Sequence, residues 1–333
     1  MKPSPLANVA TPNMPAAVTI LEITDPTAVG EAVELIEQDA VQLDSKPLRA
    51  RRIVVRLGTS RVVFQSTNRS IRTRTRLLPG FVAFTVFGPR SAGTINGMPV
   101  GPNRMFVCMP GIEVEFVVSA GYESVAFLLR PEDVQAHLWS SNRKSELLLN
   151  PSLAVLTESR TARGLYNWGH RLTGTAARYP DLFEQLQIQS AAQVELLENL
   201  METLSSAVHC KPDPHDLTRQ VYSRVVQTAE DFALNHPVER IYVTDLCEAA
   251  GVSERSLQYA FKEVMGMTPV SYLTRLRLHR VRRALRVATK GSTTVTAEAL
   301  KWGFWHFGDF SRAYKACFAE LPSETLRRGP AEG

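Results

Sequence analysis

The segment Phe261-Lys262-Glu263-Val264-Met265-Gly266-Met267-Thr268-Pro269 nearly repeats as Tyr314-Lys315-Ala316-Cys317-Phe318-Ala319-Glu320-Leu321-Pro322, offset by 53 residues. Two copies of one small helical unit are the simplest reading of such a repeat. Ahead of the first copy, a short helix from Val243 ends at Gly251, and a second helix begins two residues later. Gly251 suits a turn that needs positive φ, Ser253 can cap the second helix, and Glu254 complements its positive N-terminal dipole. Leu246, Ala250, Val252, Leu257 and Phe261 recur so that both helices share one core, which leaves Arg255, Ser256, Gln258 and Tyr259 outward. This is a helix-turn-helix pattern over about 243–265.

The second unit is expected over about 294–317, with Gly303 as its turn and Phe307 to Phe318 as its second helix. Phe304, Phe310 and Tyr314 take core positions there, and Trp302, Trp305 and Phe307 are also read as core. Gly308, Asp309, Ser311 and Arg312 are left exposed. Asp309 either accepts from a cytosine amino group or repels phosphate. A connector helix over about 269–288 carries Arg275, Arg277, Arg280, Arg282, Arg283 and Arg286, and no acid lies anywhere between Pro269 and Lys290. The missing acids assign that helix, with Lys262 and Lys315, to phosphate contact. A rigid connector would set two reading helices into successive major-groove turns.

At these residues the chain resembles the AraC/XylS family of bacterial regulators over roughly Leu217 to Arg328. The family's closing pattern is met by Gly303-Phe304, Phe310, Arg312, Tyr314, Lys315 and Pro322. Trp302-Gly303-Phe304-Trp305-His306-Phe307-Gly308 and Leu321-Pro322-Ser323 look most like the ethanolamine-operon regulators. The sequence departs from the family at Ala319, where Gly is usual, and at Thr325-Leu326-Arg327, where the family commonly ends in Tyr-Arg. The resemblance implies a transcription regulator that is not an enzyme, with promoter DNA and RNA polymerase as partners. It also implies a small-molecule effector held by a cupin-like barrel, and a homodimer is a further possibility.

The rest of the chain fits that outline. With 333 residues the chain is long enough for two domains, and 44% hydrophobic with 21% charged residues is an ordinary globular balance. Short apolar runs at Ile53–Val55, Val62–Phe64, Phe81–Phe87, Met105–Met109, Val114–Val118 and Val125–Leu129, parted by Gly, Pro, Asn or Ser, predict a β-rich barrel or sandwich. The expected class is α+β in two domains. The expected organisation is a disordered start over 1–20, then an effector-binding and dimerisation domain over 21–208, with strands at about 50–130 and helices at about 131–208. A linker follows over 209–216, where two prolines fall in three residues, and a helical DNA-binding domain over 217–329.

No Asp or Glu occurs from Ser45 through Ile112, a stretch that holds Arg72, Arg74 and Arg76 at alternate positions. On a strand those three guanidiniums share one face. They bind an anionic effector or pair with acids such as Glu31, Glu34, Glu37 and Asp39. Cys108, Cys210, Cys247 and Cys317 form no C-x-x-C pair and read as reduced, mostly buried thiols, and no histidine precedes His137. Neither a metal site nor another cofactor is expected. The Pro-rich start has no signal-peptide core and no run is long enough to span a bilayer, so the expected location is the cytoplasm. A net charge of +5 agrees with a nucleic-acid partner. The alternative is an effector-independent repressor or constitutive activator whose N-terminal domain only dimerises.

Overall fold

Alternating apolar and polar residues build two antiparallel sheets in the computed structural model, which describes residues 16–28, 35–140, 155–209, 214–237, 241–289 and 291–329. The strands are β1 Val18–Ile23, β2 Ile36–Gln42, β3 Ala50–Leu57, β4 Ser60–Thr67, β5 Ile71–Leu77, β6 Val82–Phe87 and β7 Gly93–Ile95. They continue as β8 Met98–Pro99, β9 Arg104–Cys108, β10 Glu113–Val118, β11 Tyr122–Leu129, β12 Val155–Glu158 and β13 Val208–His209. One sheet has the order β1-β3-β4-β11-β6-β9-β12-β13 and the other β2-β5-β10-β7-β8. Among the described residues no strand pairing joins the two sheets. The β-rich expectation is therefore met by two facing sheets and not by a closed barrel.

Helices follow in two groups. The first is α1 Pro131–Ser140, α2 Ala162–Arg178 and α3 Leu186–Ser205. The second is α4 Pro214–Asn235, α5 Val243–Ala250, α6 Glu254–Met265, α7 Pro269–Val287, α8 Val295–Lys301, α9 Phe307–Phe318 and α10 Pro322–Arg328. None of the described helices is long and apolar enough to cross a membrane. The predicted interdomain linker falls partly on 210–213, outside the described residues, between β13 and the start of α4.

Because side chains alternate across a strand, each sheet has two faces with different tasks. One face of the larger sheet, with Val55, Val62, Phe84 and Phe127, packs under Leu165 and Trp168 of α2 and Leu196 and Leu200 of α3. Its other face, with Ala50, Val63, Phe106 and Leu128, meets Ile71, Leu77, Val114 and Val118 of the smaller sheet. The smaller sheet then turns its outer face to the C-terminal helices. Val41, with Leu43 and Val117 packed alongside, joins the cluster of Val225, Val226, Ala229, Leu257, Phe261 and Leu276. A separate small core of Leu278, Val281, Leu285, Ala299, Phe310 and Tyr314 belongs to the last helices.

Charges are buried along the same contact. Arg72 of β5 is fully buried, makes an ion pair with Glu230 of α4, and reaches Glu115 of β10 at 3.2 Å. Glu230 also accepts from the Tyr272 hydroxyl at 3.0 Å, and Glu115 accepts from Ser223 at 2.7 Å. Burial opposes the charge on Arg72, but Glu230 and Glu115 outweigh it and hold the guanidinium charged. Leaving one member of such a buried set unpaired typically costs about 3–5 kcal/mol, whereas replacing both by apolar groups is often neutral. Glu230→Ala is accordingly expected to lower unfolding free energy by about 3–5 kcal/mol in urea titrations, and Arg72→Met added to Glu230→Leu to recover much of the loss.

Candidate nucleic-acid interface

Helix α5 ends at Gly251 in the left-handed conformation, φ 64°, and α6 starts after Ser253, whose hydroxyl accepts from the Ser256 amide at 3.3 Å. Leu246, Leu257 and Phe261 are buried, and Ala250 and Val252 pack against them, as the spacing predicts. On the outer side Arg255, Tyr259 and Lys262 are exposed and Ser256 and Gln258 half-buried. The Arg255 guanidinium lies 5.6 Å from the centre of the Tyr259 ring. Arg255, Gln258, Tyr259 and Lys262 line one open depression together with Glu254, Met267 and Thr268. Thr268 caps α7 by accepting from the Ser271 amide at 3.3 Å.

The second unit repeats these boundaries. Helices α6 and α9 begin and end 53 residues apart, as do Pro269 and Pro322 at the starts of α7 and α10. Gly266 ends α6 at φ 70°, and Ala319 ends α9 in the same left-handed region at φ 59°. Phe310 and Tyr314 are buried, while Gly308, Asp309, Arg312 and Lys315 are exposed and Ser311 is half-buried. Arg312 makes an ion pair with Asp309 one turn away on the same helix. Trp302 packs against the small core, but Trp305 and Phe307 are 57% and 42% exposed, which corrects their assignment to the interior. Both stand beside the first turn of α9, and the core behind them is already filled by Phe304, Phe310 and Tyr314.

The connector helix α7 also differs from expectation. Arg280 and Arg283 pair with Asp39 of β2, the latter at 2.8 Å. Arg282 pairs with Asp25 at 2.7 Å and Glu320 at 2.6 Å, with its guanidinium 4.5 Å from the Phe318 ring, and Arg286 reaches Asp25 at 3.6 Å. Arg275 donates to the backbone oxygens of Gln42 at 3.3 Å and Asp44 at 2.9 Å. Arg277 is half-buried against the turn at Gly303. The assignment to phosphates is thus corrected for Arg280, Arg282, Arg283 and Arg286, to which acids absent from the helix itself come from Asp25, Asp39 and Glu320, and Arg275 is taken up by backbone oxygens.

Arg72, Arg74 and Arg76 meet a similar outcome. Arg74 pairs with Asp231, with Glu113 at 3.4 Å and with Glu230 at 3.5 Å, and Arg76 reaches Glu113 at 3.5 Å. They occupy the outer face of β5, turned to acids, so the alternative of acid pairing describes them better than effector contact. The acids are Glu113, Glu115, Glu230 and Asp231; Asp39 serves α7, and Glu31 and Glu34 lie outside the described residues. Of the thiols, Cys108 is buried, Cys247 and Cys317 are half-buried, and all three are free; Cys210 lies outside the described residues. Among the described residues no cluster of His, Cys, Asp and Glu is arranged to hold a metal.

Comparison with known proteins agrees with this geometry. Residues 246–328 match a family model described as a helix-turn-helix domain. The XylDLEGF operon transcriptional activator 2 of Pseudomonas putida is 37% identical over 127 residues, 38% of this chain and 77% of that protein. The chain belongs to the AraC/XylS family of transcription regulators. A "Probable thc operon regulatory protein" of Rhodococcus erythropolis is 33% identical over 153 residues, 44% of this chain, and the chain spans 45% of that relative's length. A solved AraC-type regulator from Chromobacterium violaceum is 28% identical, with 33% of this chain and 95% of that one covered and a TM-score of 0.30.

Two tests follow from this AraC-type domain. Lys262→Ala is expected to reduce the slope of log affinity against log salt by nearly one contact, whereas Arg282→Ala, engaged with Asp25 and Glu320, leaves that slope unchanged. Filter binding on random duplex at several salt concentrations reads both. The second test uses His279 of α7, which is buried against Phe318 at 5.0 Å with neither ring nitrogen hydrogen-bonded. Burial, helped by the nearby Arg275, pushes its pKa down to about 3. The unfolded imidazole titrates near 6.5, so the unfolded chain binds the extra proton as pH falls below that value. Stability is therefore full above about pH 6.5 and declines toward pH 3, by about 2 kcal/mol at pH 5. His279→Leu should remove that part of the slope in unfolding curves measured between pH 5 and 7.

Proposed function

We propose that this protein is a sequence-specific, ligand-responsive activator of a metabolic operon, acting in the cytoplasm on double-stranded promoter DNA. The observation that carries the reading is the duplicated unit, in which α6 and α9 share one offset and each turns a polar strip outward from a filled core. Arg255, Ser256, Gln258 and Tyr259 read bases in one half-site. Arg312, Ser311, Asp309 and the close approach allowed by Gly308 serve the other, and Lys262 and Lys315 hold phosphates. The run from Trp302 to Gly308 favours the ethanolamine-operon subgroup, a placement that none of the relatives above carries in its name.

The β-rich domain is the sensor, and its cupin-like character rests on the small cavity between its two sheets. Helix α3 supports a homodimer, because Leu186 and Val194 stand exposed along it. An activator bound through α6 and α9 leaves its other surfaces for RNA polymerase. The smaller sheet couples sensor to reader: Thr73 and Thr75 line the cavity while Arg72 and Arg74, one residue away, hold α4.

The test begins with sequencing the DNA that the chain binds in cells, then compares that operator with random duplex. A specific reader binds its operator at least about 1,000-fold tighter at physiological salt. Gln258→Ala is expected to cost about 1–3 kcal/mol on the operator and almost nothing on random duplex. Equal losses on the two DNAs would remove Gln258 from the reading surface, and equal affinities of the unaltered chain would remove the function.

A further inference from the structure

Two aromatic side chains at the start of the second reading helix have no place in the core behind it. Phe304, Phe310 and Tyr314 fill that core with Leu278, Val281 and Leu285, while Trp305 and Phe307 remain exposed. Large apolar side chains left together outside a filled core mark a surface that a partner covers. The offset of 53 residues identifies what stands at each position in the first unit. Phe307 replaces Glu254 of α6, Gly308 replaces Arg255, and Asp309 replaces Ser256. The end of a reading helix that contacts base edges is its N-terminal turn. In α6 that turn is polar throughout. Of the three positions that open α9, Gly308 has no side chain, and a Cβ placed there would meet no atom within 4 Å. Asp309 is engaged by Arg312. The third is the Phe307 ring.

We infer that Phe307 is a specificity-determining residue that reads thymine through its C5-methyl group, with Trp305 extending the apolar surface beside it. A phenyl ring offers no hydrogen bond to the donor and acceptor pattern of a base pair. Set against a guanine or cytosine edge, it would strip water from those polar groups and return nothing. The thymine methyl is the one alkyl group that base edges present in the major groove, so ring and methyl remove each other from water. Gly308, next in the chain, lets the helix backbone come close to the groove floor where a side chain would hold it off. The inference rests on α9 entering the major groove, as proposed above.

The experiment uses the full chain and the operator recovered from cells. Each operator thymine is replaced in turn by deoxyuridine, which removes the C5-methyl and keeps every hydrogen-bonding group. The expected result is a loss of about fourfold in the affinity of the unaltered chain at one or two thymines, the effect of burying about one methyl group. In Phe307→Ala the same replacements make no further difference, whereas Gln258→Ala, in the other unit, stays sensitive to them. Methyl removal without effect at every thymine in the unaltered chain would overturn the inference, and this arm does not depend on a variant folding. Full sensitivity retained in Phe307→Ala overturns it as well. So does a Phe307→Ala chain that binds the operator as before but activates transcription poorly in vitro, which would turn this surface toward a protein. Operator binding no tighter than that of random duplex removes the proposed function and this inference with it; specific binding that ignores the methyl groups removes the inference alone.

Discussion

Strand β5 stands between two environments that ask opposite things of it. Its odd positions, Ile71, Thr73, Thr75 and Leu77, face the inter-sheet cavity, and its even positions, Arg72, Arg74 and Arg76, face acids. The period of two in a strand makes both possible without a change of backbone. Arg72 is the position on which the arrangement turns, because a buried guanidinium is tolerable only with its partners in place. Those partners come from β10 and α4, so the β-rich domain and the helical domain complete each other's charge balance. An isolated β-rich domain would keep Glu115 beside Arg72 but lose Glu230 and the Tyr272 hydroxyl behind it.

The connector helix extends that dependence. Its face toward the β-rich domain reads as a row of arginines set against Asp25 and Asp39, with Glu320 of the last turn drawn in beside Arg282. Asp25 is held below the usual carboxylate range: burial raises it, but Arg282, the Thr27 hydrogen bonds and Arg286 overcome that effect. Partly exposed pairs of this kind contribute modestly one by one. Their joint effect is orientation, because α7 spans the cores of both helix-turn-helix units and its seat on β2 fixes how both are presented. A change at the cavity that moved the smaller sheet would act on α4 through Arg72 and on α7 through Asp39 together.

Local pattern carried the sequence reading as far as it went. The offset of 53 residues located both units, Gly251 and Ser253 marked the turn and cap, and the six apolar runs found β3, β4, β6, β9, β10 and β11. These are features a residue shares with neighbours a few positions away. The arginines of α7 were misplaced, and the acids that pair with those of β5 were not the ones named, because the partners lie far along the chain: Asp39 is 241 residues from Arg280, and Glu230 is 158 from Arg72. No count of acids within the helix could register them. Strands β12 and β13 escaped because they are four and two residues long and sit among helices.

The two reading helices share boundaries but not surfaces, and the difference starts at their first turns. Ser253 accepts from a backbone amide and anchors α6, whereas His306 at the matching position of α9 makes no such bond. Along α6 the outward groups are a cation, an amide, a phenol and a lysine, all free to donate toward bases or phosphates. Along α9 the charge of Arg312 is met by Asp309 in the same helix, an exposed pair that a guanine edge or a phosphate could compete for at little cost. Trp305 and Phe307 add apolar surface beside it, suited to thymine methyl groups more than to hydrogen-bond readout. On the reading proposed above, discrimination between sequences falls mainly to α6, and α9 contributes position and contact area through a surface whose charge is balanced before DNA arrives.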